Sequence, residues 1–189
     1  MWIVAGPNGC GKSTLYGNSE ISQLDGSVWI INPDILTATL REREALHGGD
    51  ANLQAVKRIE EWLRKSIEVY QTIGVETVLS TGKYRKLVRL AKRKGFEIRL
   101  IYAIVDSVEL QLERIRLRVA KGGHDVPADK VAARRARSLE QLNWFFWEAD
   151  AAWIYDNSSA EPQLLVKRDK GRGFISVRTP LELRQAIGL

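Results

Sequence analysis

A glycine-rich segment near the start of the chain has the residue types and spacing of a phosphate-binding loop. Residues 6–13 read Gly-Pro-Asn-Gly-Cys-Gly-Lys-Ser, that is, glycine, four residues, then glycine, lysine and serine. Glycines let consecutive backbone N–H groups turn inward around phosphates, and a helix that begins there adds its positive dipole end. In such a loop the lysine reaches the β- and γ-phosphates and the serine hydroxyl ligates Mg²⁺. The pattern predicts a nucleotide site made of Gly6, Pro7, Asn8, Gly9, Cys10, Gly11, Lys12, Ser13 and Thr14, with Ser13 as the metal ligand.

Two acids and a serine follow or lie in the next predicted strands. Asp34 ends the segment Asn32-Pro33-Asp34 after the second strand. In a kinase of this layout such an aspartate takes or orients the proton of the attacking hydroxyl, although it can equally be a helix N-terminal acid that favours the dipole. Glu76 lies within an apolar strand, where a buried acid needs a partner. It binds the acceptor or a magnesium-bound water, or it is paired structurally. We predict that Asp34, Glu76 and Ser80 contact the acceptor.

A further acid, Asp106, follows the apolar run Ala103-Ile104-Val105 and so resembles the end of a Walker B motif. The segment Ser-Val-Glu-Leu begins a helix immediately afterwards. For that reason we prefer to interpret Asp106 as the cap of that helix.

Arginines cluster in two predicted helices on either side of the segment Gly122-Gly123-His124. Arg118 lies at the end of the first helix, and Arg134 and Arg135 lie near the start of the second. A transferring phosphoryl group develops negative charge that needs cations, so these three are the candidate catalytic arginines. The alternative is a solvated basic face, which we prefer for the other cations of this region, Arg114, Arg116, Lys130 and Arg137.

Cys10 is the single cysteine and lies inside the glycine-rich loop. The neighbouring lysine and the helix N-terminus would favour a thiolate and lower its pKa. The other interpretation, which we prefer, is a small side chain that points into the core and never ionises. A single cysteine excludes an internal disulfide and a cysteine-based zinc site.

Apolar runs alternate with amphipathic stretches along the chain. Strands are predicted at residues 2–5, 28–31, 75–79, 96–105 and 152–155, with a hairpin around 170–173. Helices are predicted at about 12–24, 33–46, from Leu53 to Gly74, at 83–94, 108–119 and about 128–149, and from Pro180, with a break at 47–50. This alternation predicts an α/β fold with a mostly parallel sheet, helices on both faces and ligands at the carboxyl ends of the strands. We expect a single domain of residues 1–189 with a helical lid at about 114–138.

Composition and charge narrow the class of protein. The 189 residues are 44% hydrophobic and 28% charged, which excludes a disordered chain or a repetitive fibre. The net charge of +6 suits an anionic partner without separating a nucleotide from a nucleic acid. No apolar run approaches the ~20 residues of a membrane span, and no signal peptide is recognised. We therefore expect a cytoplasmic protein without a membrane partner.

Taken together, these motifs resemble the zeta-toxin family of phosphate-loop kinases. The matching segments are residues 5–14, 32–34, 76–80, 118–119, 122–127, 134–139 and 155–158. The resemblance implies an adenylate-kinase-like P-loop fold and phosphorylation of a small acceptor by ATP and Mg²⁺. It implies Lys12 and Ser13 at the nucleotide and metal, Asp34 as the base and the arginines as a γ-phosphate clamp. In the well-known toxins the acceptor is a UDP-N-acetyl-sugar, such as UDP-N-acetylglucosamine, and an antitoxin protein is a further partner that the resemblance admits.

The first hypothesis is therefore a kinase that moves the γ-phosphoryl group of ATP to a hydroxyl of a small molecule. Rival enzymes are nucleoside, antibiotic or polynucleotide-end kinases. A rival outside catalysis is an ATP-dependent nucleic-acid binding module, suggested by the charge of +6. The run at residues 144–147 does not support nucleic-acid stacking, because four successive helical residues point in different directions and favour core packing.

Overall fold

Strands and helices alternate in the structure, a computed structural model that describes residues 1–17, 28, 30–44, 48–123, 125–169, 172–175 and 178–189. The strands are β1 (Trp2–Ala5), β2 (Ile30–Ile31), β3 (Gly74–Thr77), β4 (Arg99–Ile104), β5 (Ala151–Asp156), β6 (Gln163–Asp169) and β7 (Arg172–Ile175). The helices are α1 (Lys12–Gly17), α2 (Pro33–Glu44), α3 (Gly48–Glu68), α4 (Arg85–Arg93), α5 (Val108–Ala120), α6 (Ala128–Glu148) and α7 (Leu181–Ile187). The predicted α/β class is confirmed.

The described strands form one sheet in the order β2-β3-β1-β4-β5-β6-β7. The first five strands in this order run parallel to one another, and β6 and β7 add an antiparallel edge. At the centre, Val4 of β1 is opposite Glu76 of β3 and Ile101 of β4. Because parallel strands end at a common edge, the segments that follow β1, β2 and β3 lie beside one another.

Hydrophobic side chains cover both faces of the sheet, since successive residues of β1 point to opposite sides. Ile3 packs in the larger cluster, whose helical members come from α3, α4, α6 and α7. Val4 packs in the cluster on the other side, which includes Cys10 of the glycine-rich loop and Leu15 of α1. The loop is thus held by the core on which β1 is built.

Two segments depart from the predicted boundaries. The break predicted at 47–50 is wrong from Gly48 onward, because α3 begins at Gly48 and has Asp50 in its first turn, where an acid favours the dipole. That helix ends at Glu68, and Gly74 is the first residue of β3 rather than a helix terminator. A Cβ at Gly74 would lie 2.9 Å from Cγ1 of Ile30, so the missing side chain lets β2 approach β3.

The other predicted elements are present where the structure describes them, with ends that differ from the predicted ones by up to three residues. β6 and β7 pair antiparallel, as the predicted hairpin requires, while Lys170 and Gly171 themselves lie outside the described residues. Residues 18–24 of the first predicted helix, Trp29, His47 and His124 also lie outside them. In the aromatic run, Phe145 and Phe146 are buried and Trp147 is 49% exposed, so the run forms no single platform. Among the helices that the structure describes, none is both long enough and apolar enough to span a membrane.

Candidate active site

The glycine-rich loop leaves β1 and enters α1 in a backbone conformation that requires glycine. Gly6 has a φ of 142° and Gly11 a φ of 78°, both on the side that L side chains rarely adopt. A Cβ at Gly6 would lie 2.2 Å from the carbonyl oxygen of Ala103, and one at Gly11 would lie 2.2 Å from Nδ2 of Asn157. The loop is therefore pressed against β4 on one side and against the segment after β5 on the other.

Lys12 is buried inside this loop, with its ammonium held by the loop's own carbonyl groups. Nζ donates hydrogen bonds to the carbonyl oxygens of Gly6 at 2.9 Å and Pro7 at 3.1 Å. It also lies 3.9 Å from Oε1 of Glu76. Lys12 is 7% exposed and Glu76 8% exposed, so the two charges face each other away from bulk water. The ammonium is positioned where a phosphate chain seated in the loop would meet it.

Glu76 connects three segments of the chain at the carboxyl edge of the sheet. The hydroxyl of Ser13 donates to Oε2 of Glu76 at 3.0 Å, and Nδ2 of Asn32 donates to the same oxygen at 2.9 Å. The acid predicted to need a partner thus has Lys12, Ser13 and Asn32 around it. The carboxylate draws the loop and the segment after β2 together.

Ser13 and Glu76 provide the oxygen ligands that Mg²⁺ takes in nucleotide sites, where a protein hydroxyl or carboxylate is completed by phosphates and water. A cation beside both side chains would meet a hydroxyl and a carboxylate oxygen that lie 3.0 Å apart. Within the part of the chain that the structure describes, no group of three or more His, Cys, Asp or Glu side chains forms a metal site. The residues present fit a metal ion that binds together with a nucleotide.

These groups open into a cleft of about 410 Å³. The sequence-predicted residues that line it are Asn8, Gly9, Lys12, Glu76, Ser80, Arg118 and Arg134. Asn32 and Pro33 line it as well, and Asp34 is the next residue of α2, although its side chain lies outside what the structure describes. The cleft therefore runs from the glycine-rich loop to the start of α2.

Sequence reasoning missed several lining residues, namely Thr37, Val56, Thr77, Val78, Lys83 and Val126. Thr37 had a detectable signal, because it lies three residues after Asp34 and so on the same side of a helix. Val56 and Val126 had none, since an apolar residue in an amphipathic pattern is indistinguishable from a core residue.

Two of the three arginines of the predicted clamp, Arg118 and Arg134, line the cleft, and Arg135 does not. Arg134 lines the cleft, and its Nη1 donates to Oδ1 of Asn8 in the glycine-rich loop at 3.3 Å. Arg118, in the last turn of α5, lines the cleft as well. The structure does not bring Arg135 there, because successive helical residues diverge by about 100°. Arg135 is 7% exposed and donates from Nη1 to the carbonyl of Val105 at 2.8 Å and from Nη2 to Glu182 at 3.2 Å.

The remaining arginines of this region divide between the surface and the loop after β5. Arg116 and Arg137 are exposed, in agreement with the preferred solvated face. Arg114 instead donates to the carbonyl oxygens of Asn157 at 2.7 Å and Ser158 at 3.0 Å. Asn157 in turn donates from Nδ2 to the carbonyl of Cys10 at 2.8 Å, so Arg114 supports a contact that braces the glycine-rich loop.

Asp106 does not cap α5, contrary to our preferred interpretation. The cap is Ser107, whose Oγ accepts from the backbone N–H of Leu110 at 3.1 Å. Asp106 is exposed, and its backbone N–H donates to Oγ of Ser158 at 2.9 Å. Serine can occupy the cap position here because its backbone is extended.

The thiol of Cys10 points away from the cleft, into the cluster with Val4 and Leu15. It is fully buried, and burial raises its pKa above the ordinary value even though Lys12 opposes this shift. The interpretation as a core side chain is the one that the geometry supports.

We therefore expect Cys10 to resist thiol reagents in the folded protein at neutral pH, because the reactive thiolate is both scarce and inaccessible. Mass spectrometry after prolonged exposure to iodoacetamide should find Cys10 unmodified in buffer and fully alkylated in denaturant. Rapid alkylation of the folded chain, with protection by ATP, would instead show that the thiol faces the nucleotide site.

Comparison with known proteins identifies a family and a relative that match most of the chain. The AAA_33 family model, described as an AAA domain, matches residues 1–141. An uncharacterized protein of Haemophilus influenzae is 31% identical over 145 residues, which cover 71% of this chain and 96% of that relative.

Solved structures show the same fold at low identity. A structure of AvrRxo1-ORF1:-ORF2 with ATP matches with a TM-score of 0.74 and 16% identity, covering 92% of this chain and 59% of the matched one. The PezAT chromosomal toxin-antitoxin system of Streptococcus pneumoniae matches with a TM-score of 0.59 and 18% identity, covering 86% of this chain and 71% of the matched one. This chain thus spans about three fifths of the AvrRxo1 chain. A putative kinase of Chloroflexus aurantiacus also matches, with a TM-score of 0.55 and 16% identity, covering 72% of this chain and 78% of the matched one. By its match over residues 1–141, the chain belongs to the AAA_33 family of AAA domains, and it has the fold of P-loop kinases.

Proposed function

We propose that this protein is an ATP-dependent phosphotransferase that moves the γ-phosphoryl group of ATP to a hydroxyl of a small molecule. The observation that carries the proposal is the convergence of four charged side chains on one cleft, namely Lys12, Glu76, Arg118 and Arg134. The hydroxyl of Ser13 is hydrogen-bonded to Glu76 beside them. A phosphate loop alone serves many reactions. A cleft that continues past the loop to the segment after β2 has room for a second substrate.

In the proposed mechanism, an in-line displacement at phosphorus, each residue has a separate role. An acceptor oxygen attacks the γ-phosphorus, the bond to the β–γ bridging oxygen breaks, ADP leaves, and the acceptor proton passes to Asp34. Lys12, Arg118 and Arg134 offset the negative charge that spreads over the transferring group. Ser13 and Glu76 would hold Mg²⁺, which, when bound, neutralises charge on the β- and γ-phosphates.

Residues 114–138 would act as a lid over the cleft. They comprise the second half of α5, the turn after it and the first turns of α6. Arg118 and Arg134 come from these two helices and line the same cleft. Val126, between the helices, is buried with Ile115 and Val131, which gives the region its own small apolar cluster. Closure about this cluster would bring both cations onto the phosphates. Residues 1–189 would then work as a single domain.

ATP is the proposed nucleotide, with support from the AvrRxo1-ORF1:-ORF2 structure that contains ATP. For the acceptor we propose a zeta-toxin-like class of substrate, of which UDP-N-acetylglucosamine is a member. The likeness to the PezAT toxin-antitoxin system is consistent with an antitoxin protein as a partner. These assignments rest on resemblance and fold, and they are separable from the phosphotransfer itself.

A transfer screen with γ-labelled ATP tests the proposal. UDP-sugars, nucleosides and nucleic-acid ends are offered separately in the presence of Mg²⁺, and label is sought in each acceptor. We expect label in a small-molecule hydroxyl and none in nucleic acid. Label in no acceptor, with nucleotide binding intact, would contradict the proposed function.

We expect Asp34→Asn to lower turnover by ~10²-fold or more while ATP affinity changes little, because asparagine cannot accept the acceptor proton. Asp34 follows Asn32 and Pro33, both of which line the cleft, at the first turn of α2. Single-turnover transfer and ATP titration measure the two quantities separately. The matched control is Asp129→Asn, which removes an acid from the first turn of α6 instead. Unchanged turnover in Asp34→Asn would remove this residue from the mechanism.

A further inference from the structure

The connection between β3 and α4, residues 78–84, combines buried residues with residues that line the cleft. Its two ends are anchored by Leu79 and Tyr84, each 1% exposed. Leu79 has a φ of 60°, an uncommon conformation for a residue with a side chain, and its N–H donates to Oγ1 of Thr77 at 3.0 Å. Strain of this kind persists where the surroundings over-determine the backbone, and it is often found at functional sites.

A buried hydrogen-bond chain fixes the start of the same connection. Oγ of Ser138 donates to the carbonyl oxygen of Val78 at 2.7 Å and lies 2.9 Å from the Tyr102 hydroxyl. Since the single Ser138 proton is used on Val78, the tyrosine is the donor of the second bond. Both side chains are fully buried. α6 and β4 therefore hold this connection in register with the cleft.

Lys83 is the cation that this connection brings to the cleft. In the described part of the chain its ammonium forms no hydrogen bond or ion pair, and Nζ lies 4.7 Å from the centroid of the Tyr84 ring. The side chain is exposed to the cleft, yet desolvation by the surrounding protein lowers the pKa of the ammonium, while the carboxylate of Glu60 acts in the opposite direction. Lys83 thus presents to the cleft a cation whose donors are not used in a hydrogen bond within the described part of the chain.

Lys83 lies on the side of the cleft that we assign to the acceptor rather than to the nucleotide. The γ-phosphate end of the loop is marked by Lys12 and Glu76, and β3 lies between β1 and β2 in the sheet. The cleft beyond that point is lined by Thr37 from α2 and Val56 from α3, which belong to the β2 side. The contacts that brace the loop from the β5 side come from Arg114 and Asn157 instead.

On the basis of the proposed function, we propose that the acceptor carries an anionic group, a phosphate or a carboxylate, and that Lys83 is the residue that binds it. Of the described charged residues lining the cleft, Lys12, Lys83, Arg118 and Arg134 are cations and Glu76 alone is an acid. Lys12 and the arginines are needed at the transferring group. Lys83 is therefore available to bind a negatively charged group of the acceptor.

Paired acceptors test this specificity directly. Transfer of label from ATP is compared between uridine and UMP, between N-acetylglucosamine and its 1-phosphate, and between glucose and gluconate, so that phosphate and carboxylate are distinguished. The wild type should prefer one anionic member. Lys83→Met should raise KM for it by about 10- to 100-fold with little change in kcat, because a charge-assisted contact present in both ground and transition states is lost. Lys83→Arg should restore most of the affinity.

The matched control is Lys86→Met, which removes the same charge from an exposed residue of α4 outside the cleft lining. It should leave both kinetic constants unchanged. An equal preference for neutral acceptors, or a KM unaffected by Lys83→Met, would overturn the inference while leaving phosphotransfer standing.

A binding measurement keeps the inference testable if no acceptor is labelled, an outcome that would contradict the proposed function itself. The protein loaded with ADP and Mg²⁺ is titrated with inorganic pyrophosphate in a calorimeter. Binding that weakens by about tenfold or more in Lys83→Met, but not in Lys86→Met, would support an anion subsite at Lys83. Equal binding by wild type and Lys83→Met would assign the pyrophosphate to the loop and the arginines, and the subsite would be ruled out.

Discussion

Glu76→Gln should lower turnover by about 10²- to 10³-fold, with a much smaller change in ATP affinity in the absence of metal. Glutamine keeps the volume of the side chain and can still accept a hydrogen bond from Asn32. It loses the negative charge that faces Lys12 at 3.9 Å and the carboxylate oxygen beside the Ser13 hydroxyl. A site that binds Mg²⁺ through few protein oxygens is sensitive to the loss of one carboxylate.

Two measurements separate this effect from simple unfolding. Turnover is determined over a range of Mg²⁺ concentrations, and Glu76→Gln should need more metal to reach half of its own maximum. Glu140→Gln, at an exposed acid of α6, is the matched control and should behave like the wild type. If the metal requirement and turnover of Glu76→Gln were both normal, Glu76 would have only a structural role, as the partner of Lys12, Ser13 and Asn32.

The parallel part of the fold could be predicted from sequence because each of its elements carries its own signal. Apolar runs mark β1 and β4, and the glycine spacing of residues 6–13 marks a loop whose backbone admits no side chain at Gly6 or Gly11. Such signals are local, so they survive without knowledge of the tertiary structure. The helix boundary at Gly48 was missed because glycine pairs usually break helices, whereas here they open one.

The site was less predictable than the fold, since its composition depends on which side of each element faces the cleft. Arg134 and Arg135 are adjacent and chemically identical, yet one contacts Asn8 and the other contacts Glu182. Lys83 was missed for the opposite reason, because it begins a basic stretch whose members look alike in sequence. Only the buried anchors on either side of it, Leu79 and Tyr84, direct it toward the cavity.

The different surroundings of the adjacent residues Arg134 and Arg135 allow a direct test of the cleft. Arg134→Ala should lower turnover by about 10³-fold, as expected for an arginine that stabilises a transferring phosphoryl group, and should leave stability nearly unchanged. The Arg134 side chain is half-buried and its hydrogen bond to Asn8, at 3.3 Å, is long. Ground-state ATP binding should weaken much less than turnover, because the cation is needed most as charge develops.

Arg135→Ala should show the reverse pattern, with near-normal turnover per folded molecule and a loss of about 2 kcal/mol in the free energy of unfolding. The substitution leaves the carbonyl of Val105 without its donor inside the protein. The side chain of Glu182 is 55% exposed, so its carboxylate returns to water and adds little to the loss. Urea unfolding and turnover of the two variants, with Arg137→Ala as the exposed control, should therefore give opposite rankings. A large loss of turnover in stable Arg135→Ala would instead mean that α6 rotates on nucleotide binding and brings Arg135 to the phosphates.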